Sequence, residues 1–498
     1  MGERSRRAMS ELNDVATSGS PDALSEPAAS APASAPARAD RRRFDRSIVD
    51  GPLAPAVTKL AWPTVLTNTI GGLQGMIDHA LVGNLVGFAA NAAIGVSWQI
   101  ILVVIVFVSS MFTGMSVLVS RYVGAGDGDM ADRTIYQAFL TVIVLSFGVL
   151  APIGYVSAPS LLSLVNAAPA VRHEALPFLR IMFVFSGGML TFFMVGGALR
   201  AAGDARTPMI LGITMTALNV ALNVVLIRGL GPIPAFGTRG AAMGTATASG
   251  IVAIYSLWKL VRGGWVVSFA HRGGWGPDWP IIRALFRFGL PAGIQGIAMN
   301  VGGVLLLAFI GSLPQSAAAQ AAYAVSYTEL FSLVTWTSQG LLAATSTVAG
   351  QNLGAGFPDR TVKGVHVAAR LGLMGAAFIG LMFWLVPRQL LAIFGMHDPV
   401  VVGIGVQLLH VLSVSGLFIS VALTYTGGLQ GTGDTKSPLY ISLVSQLVIP
   451  LGIVFVFSRL GMLQPITIWL AILTGHATRC ALSVARFNQG KWRSIKVV

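Results

Sequence analysis

Nineteen acidic residues stand in a chain of 498, and only two of them, Asp78 and Glu329, fall inside long apolar stretches. A carboxylate in hydrocarbon is costly to keep, so an acid in such a place marks a candidate ion or substrate pathway. Asp78 comes five residues before Gly83, roughly 8 Å from the expected end of its helix. Desolvation there makes its protonation sensitive to whatever occupies its surroundings. His79 points about 100° away on a helix, towards packing rather than the same site. Glu329 is roughly 18 Å into its own stretch, near mid-membrane, and Ser332, Trp336 and Gln339 follow at i+3, i+7 and i+10. That polar stripe either lines a path or holds a second bundle together.

Asn219 and Asn223 lie at i and i+4 in ALNVALNVVL, so two amides share a face that must turn away from lipid. They serve either a site or as interhelical glue. Thr245 ends the small-residue run that starts at Gly240 and offers a hydroxyl oxygen, or back-bonds to its own helix. Pro63, fifteen residues before Asp78, removes one backbone hydrogen bond. It bends the helix or is simply tolerated near a helix start.

These residues need helices long enough to span lipid, and the composition supplies them. Apolar residues make up 54% and charged residues 10%, against about 25% charged in a soluble protein; mean hydropathy is +0.73. So few charges could not cover a soluble surface. The fold class expected is an all-α integral membrane protein. Twelve stretches can each cross about 30 Å of hydrocarbon: 55–83, 92–118, 135–157, 176–199, 207–230, 240–261, 284–311, 317–350, 364–387, 400–427, 437–458 and 465–486. The terminal segments and even-numbered loops hold 27 Lys and Arg, the odd-numbered loops 5, and Arg180 lies inside the fourth span. By the positive-inside rule both termini are cytoplasmic, in a bacterial-type inner (plasma) membrane. The net charge of +14 is thereby a topology signal and not a nucleic-acid-binding face.

Residues 21–40 are rich in Ala, Pro and Ser without apolar periodicity, so 1–50 is expected to be a disordered cytoplasmic tail. It lacks a signal-peptide core. Cys480 is the one cysteine, which excludes an internal disulfide or a cysteine metal site and suits a small apolar filler.

An internal repeat organises the rest. Pro63…Gly83-Asn84-Leu85 matches Pro291…Gly311-Ser312-Leu313 at an offset of 228. Gly124-Ala125-Gly126 matches Gly354-Ala355-Gly356 at 230, and GALRAAGDARTP (197–208) matches GGLQGTGDTKSP (427–438), again at 230. The expected organisation is an N-lobe over 51–262, a cytoplasmic linker over 263–282, a C-lobe over 283–486 and a C-terminal tail over 487–498. Two six-span lobes around a cleft make an alternating-access machine. No phosphate loop, TVGYG-type filter or His/Cys cluster occurs, so neither a fused ATPase, a potassium channel nor a haem or zinc enzyme is indicated. An ion-driven secondary transporter without cofactor fits best. The alternatives are a flippase of lipid-linked precursors, for which Arg180 is the slender support, and a channel or non-transporting receptor.

The segments KLAWPTVLTNTIGGLQGMIDHALVGNLVG (59–87), GALRAAGDARTPM (197–209), LNVALNVVLI (218–227), GTRGAAMGTATA (237–248) and VAGQNLGAG (348–356) resemble the multidrug and toxic compound extrusion (MATE) transporters. The likeness covers about residues 51–486 and looks closest to the DinF-like branch. It implies a twelve-helix, two-lobed and monomeric antiporter in contact with membrane lipids. Such proteins export cationic amphipathic compounds in exchange for H⁺ or Na⁺. It also implies a first-lobe cation site of Asp78, Asn219, Asn223 and Thr245, with Pro63 as the bend of span one; Na⁺ at Asp78 would be the one metal. The position of Asn223 can be an aspartate in that branch, so a two-acid pair sharing a proton is excluded here. The NorM-like branch places acids at positions falling on Met299 and near Ile419, and neither is acidic.

Overall fold

The computed structural model describes residues 44–165, 167–269 and 274–497. Of the disordered tail expected over 1–50, residues 1–43 therefore lie outside the described residues. The described chain is helical throughout, with only a single isolated bridge, Leu230 to Ile233, among the described residues.

Spans one to six are Leu53–Leu85, Phe88–Ala125, Gly128–Leu164, Pro169–Ala201, Arg206–Arg228 and Thr238–Val261. Spans seven to twelve are Trp279–Gly311, Ser316–Gly354, Pro358–Leu385, Pro399–Gly431, Lys436–Arg459 and Pro465–Asn488. Nine of these are apolar enough along their length to cross a membrane among the described residues, and span four is a tenth once its bend is allowed. The two that fall short, one and eight, carry Asp78 and Glu329.

Local irregularities have local causes. Span four bends by 52° between Val184 and Ser186, where Ser186-Gly187-Gly188 lets the backbone turn and approach span six. A methyl group at Gly188 would stand 2.9 Å from the backbone nitrogen of Gly250. Three spans contain a π-helical segment: Val144–Leu150, Ala324–Leu330 and Leu443–Val448. Pro63 is buried within span one, whose helix continues through it without a break; Thr67 Oγ1 donates to the Pro63 carbonyl at 2.7 Å.

The lobes meet through spans one with eight, two with seven and two with eight. Under the repeat, one exchanges with seven and two with eight, so the first two pairs are the same contact seen twice. Glycines make these contacts close. A methyl group at Gly114 would stand 2.2 Å from the Leu285 carbonyl oxygen, and one at Gly289 2.6 Å from that of Ser110. At Gly124 it would stand 2.0 Å from the Gln351 carbonyl oxygen, and at Gly354 2.2 Å from that of Arg121. All lie in the half of the molecule that carries both chain ends, where Asn352 Nδ2 donates to the Ile48 carbonyl and Arg121 Nη2 to that of Ile495. These close contacts between the lobes gather towards that terminal face.

Three segments expected to be tail or linker are folded. Residues 44–50 are not disordered: Ile48 is fully buried with Phe44 and Val49, and Ser47–Asp50 is a helical turn tied down by Lys59 to Asp45. The described parts of the linker pack on the first lobe through Val267 and Phe269, and Asp132 accepts from the backbone and hydroxyl of Ser268. In the C-terminal segment Trp492 is buried and stacks on Phe487 at 5.0 Å between ring centres. In each, one or two large apolar side chains outweigh polar neighbours.

Candidate functional site

Span one brings Asp78 to the inside of the first lobe, where it is 5% exposed. Span five faces it with Asn219 and Asn223, both fully buried, one helical turn apart. Span six supplies Thr245. The four form one directed chain of hydrogen bonds. Asn223 Nδ2 donates to Asp78 Oδ1 at 2.8 Å and to Asn219 Oδ1 at 3.3 Å. Asn219 Nδ2 donates to Thr245 Oγ1 at 2.9 Å, and Thr245 donates to the Ala241 carbonyl at 3.1 Å. The small-residue face of span six permits this approach: a methyl group at Gly244 would stand 2.0 Å from Asn223 Oδ1. That oxygen is buried and accepts no hydrogen bond among the described residues.

A buried carboxylate normally accepts several hydrogen bonds or pairs with a cation. Asp78 has one neutral donor and no ion pair among the described residues. The spare acceptors are oxygens of Asp78 and Asn223, a set suited to a proton or a small hard cation. Pro63, on the same span, is about 22 Å from Asp78 along the helix and takes no part in this network.

Two polar residues of the neighbourhood escaped the sequence reading. Thr216 Oγ1 donates to Gln74 Oε1 at 2.7 Å, cross-linking spans five and one beside the site. The signal was present: Gln74 is four residues before Asp78 and Thr216 three before Asn219.

Glu329 lies apart from that network. It stands in the π-helical segment of span eight and, with Thr328 and Trp336, faces Gly72, Gly75, His79 and Asn91 of the first lobe. Together they line a cavity of about 570 Å³ between the lobes. His79 is therefore a cavity residue rather than a packing one, its Nδ1 2.6 Å from Asn91 Oδ1. Trp336 packs on Gly72, and its carbonyl accepts from Asn68 Nδ2 at 3.5 Å. Ser332 donates to the Glu329 carbonyl, while Gln339 is exposed. Arg180 does not reach this cleft. Its guanidinium lies 4.4 Å over the ring of the exposed Tyr155, between spans three and four.

Likeness to known proteins extends over both lobes. The MatE family profile matches residues 63–225 and 291–456, one match in each lobe. A probable multidrug resistance protein NorM of Thermotoga maritima is 27% identical over 452 residues, spanning 88% of this chain and 93% of that protein. One of the same name from Deinococcus radiodurans is 29% identical over 454 residues, spanning 87% and 94%. Among solved structures, an outward-facing multidrug resistance MATE transporter of the MOP superfamily superposes with a TM-score of 0.82 at 20% identity, covering 90% of this chain and 98% of that one.

Proposed function

The chain belongs to the MatE family of membrane transporters, and from that premise we propose that it is a multidrug efflux antiporter. It exports cationic amphipathic compounds and takes up H⁺ or Na⁺ in exchange. The observation that carries the reading is the pairing of two separate polar sites, a buried carboxylate with one neutral donor and an acid-lined cavity between the lobes. The names of its relatives, probable multidrug resistance proteins, support the substrate class.

The cycle runs on charge neutralisation. A proton or Na⁺ reaches Asp78, with Asn219, Asn223 and Thr245 supplying neutral oxygens. The loaded site repacks span one against span five, perturbing the wall that also carries Gly72, Gly75 and His79. Bound cation leaves the cavity, and the lobes rock about the glycine contacts. Pro63, lacking an N–H, is where span one yields. With both termini cytoplasmic in the inner membrane, close contacts gathered towards the terminal face leave the cavity to open outward. One chain contains both lobes and works as a monomer. The acid on span one, with Met299 and Ile419 apolar, favours the DinF-like branch.

The test is efflux of ethidium from proteoliposomes under a proton or a sodium gradient imposed separately, with Asp78→Asn beside the parent. Transport driven by one gradient and lost in the variant is expected. Full-rate coupled efflux by Asp78→Asn would remove the assignment.

A further inference from the structure

Span seven carries a stripe that changes character along its length. Arg283, Arg287, Leu290 and Ile294 follow at i, i+4, i+7 and i+11, which places all four on one helical face. The two cations stand nearest the end of the span on the terminal face, and the two aliphatics lie deeper. At 1.5 Å per residue the stripe is about 17 Å long. All four side chains are exposed. Opposite them span eleven begins with Lys436, also exposed, and one turn later brings Tyr440 at 63% exposure.

The two spans enclose a groove of about 390 Å³. Arg283, Arg287 and Lys436 line it together with Leu290, Ile294 and Tyr440. Just beyond it Gln295 Nε2 donates to Ser442 Oγ at 2.8 Å, which fixes the spans against each other. The cations of the groove lack a counter-charge. None of the three makes an ion pair among the described residues, and Arg287 lies only beside the ring of Phe288, 5.5 Å from its centre. Asp278, which shares a second cavity with the two arginines, pairs with Arg133 at 2.7 Å. Asp434, two residues before Lys436, pairs with Arg486 at 2.8 Å.

The repeat supplies the contrast. In the first lobe the matching places hold Pro55, Lys59, Trp62, Leu66, Arg206 and Ile210. There the apolar part of the stripe is kept, one cation is a proline, and Lys59 is neutralised by Asp45. Cations that served only to orient the chain would need neither a shared face nor a groove.

We propose that the groove between spans seven and eleven binds one anionic phospholipid. Arg283, Arg287 and Lys436 hold its phosphodiester, and an acyl chain lies along Leu290 and Ile294. A guanidinium matches two phosphate oxygens at once, and the lysine adds a point charge. Basic pockets between spans on the cytoplasmic side take such headgroups. A zwitterionic lipid brings its own cation and gains less, and a free phosphate leaves the aliphatic half of the stripe unused.

The experiment uses the full chain in detergent micelles, with bound lipid counted by native mass spectrometry as phosphatidylglycerol is titrated. Phosphatidylcholine with the same acyl chains, and glycerol 3-phosphate, are titrated separately. One phosphatidylglycerol per chain is expected to bind at least about tenfold more tightly than either. Replacing Arg283, Arg287 and Lys436 together by Gln should abolish that preference. Arg287→Gln alone and Leu290→Ser should each weaken the lipid several-fold, while Lys59→Gln, at the matching place in the first lobe, should leave it unchanged. Equal affinity for the two lipids, or an undiminished preference in the triple variant, overturns the proposal. Glycerol 3-phosphate bound as tightly as phosphatidylglycerol would make this a free-phosphate site and overturns the lipid assignment. An equal loss in Lys59→Gln would put the lipid elsewhere and overturns it too. Should the triple variant fail to fold, Arg287→Gln decides, and an affinity equal to the parent's overturns the proposal.

Discussion

Where span one carries Asp78, the repeat places Leu306 on span seven, 228 residues on; where span five carries Asn219 and Asn223, span eleven carries Ile449 and Ile453 at an offset of 230. Spans six and twelve are both 24 residues long, so Gly244 and Thr245 answer to Ala471 and Ile472. The first lobe thus lines its interior with one acid and a run of amides. The second lines the matching space with aliphatic and aromatic groups and buries a guanidinium, that of Arg479, in span twelve. What the lobes share is scaffold: the glycine contacts between them and the turns at 197–208 and 427–438. On the proposed cycle, symmetry is kept where the lobes rock against each other and abandoned where a charge binds, which assigns coupling to the first lobe.

The most direct way to break this comparison is to remove the acid. Asp78→Asn keeps the shape and a hydrogen-bonding oxygen but cannot take up a proton or a cation's charge. Gradient-driven efflux should fall by more than about tenfold, equivalent to roughly 1.4 kcal/mol, with the thermal midpoint unchanged. Leu306→Met, a volume-conserving change at the matching place, should transport as the parent does. Equal losses in both variants, measured as initial efflux rates, would show that the lobes share the coupling.

Gly244 sharpens the point. A methyl group there meets Asn223 Oδ1 at 2.0 Å, so Gly244→Ala must push the amide off Asp78. Overpacking of this kind costs about 1–3 kcal/mol. Thermal unfolding should show that loss together with reduced efflux. The second lobe already has alanine at the matching position, and Ala471→Gly should cost only about 1 kcal/mol of helix propensity with transport intact.

How much of this was legible depends on which signals are rare. Acids are scarce in an apolar chain, so Asp78 and Glu329 stood out, and the i, i+4 amides of span five marked the face that meets Asp78. The twelve spans were legible from apolar runs together with the internal repeat, although one and eight fall short of the apolarity of the other ten and helices overrun the lipid-sized estimate, as with Phe88–Ala125 against 92–118. Arginine is not scarce near membrane surfaces, and that hid Arg479. Counted with Arg486 and Arg493 it reads as a terminal charge, yet it lies well inside Pro465–Asn488 and is buried. Its spacing from His476, on one face of an apolar helix, was the available sign. The folded ends were hidden for another reason: Trp492 and Ile48 look like isolated apolar residues in polar surroundings until the groove that receives them exists.

The shared turns allow a finer test. Asp204 caps span five, accepting from the backbone of Arg206 and Thr207 at 3.1 and 3.0 Å. Asp434 repeats the turn with Ser437 at 3.2 Å and adds Arg486, at 3.0 and 2.8 Å. Asp204→Ala should cost about 1 kcal/mol, the ordinary value of a cap. Asp434→Ala should cost about 2 kcal/mol, because it also strands a half-buried guanidinium. Equal shifts in thermal midpoint would mean that the added ion pair contributes nothing to the second lobe.

The smallest effect concerns the cavity rather than the coupling site. At the 230 offset Glu329 falls on Gln99, so Glu329→Gln gives both lobes the same residue at that place and leaves the cavity of about 570 Å³ without its carboxylate. A charge in water-filled space attracts a cation at contact by only about 1 kcal/mol. The half-saturating concentration of ethidium should therefore rise roughly fivefold, which is that energy expressed as an equilibrium constant. A neutral amphipathic substrate should be unaffected, and the ion dependence of efflux should persist. Loss of ion dependence in Glu329→Gln would move part of the coupling into the second lobe and undo the division between a lobe that couples and a lobe that helps to select.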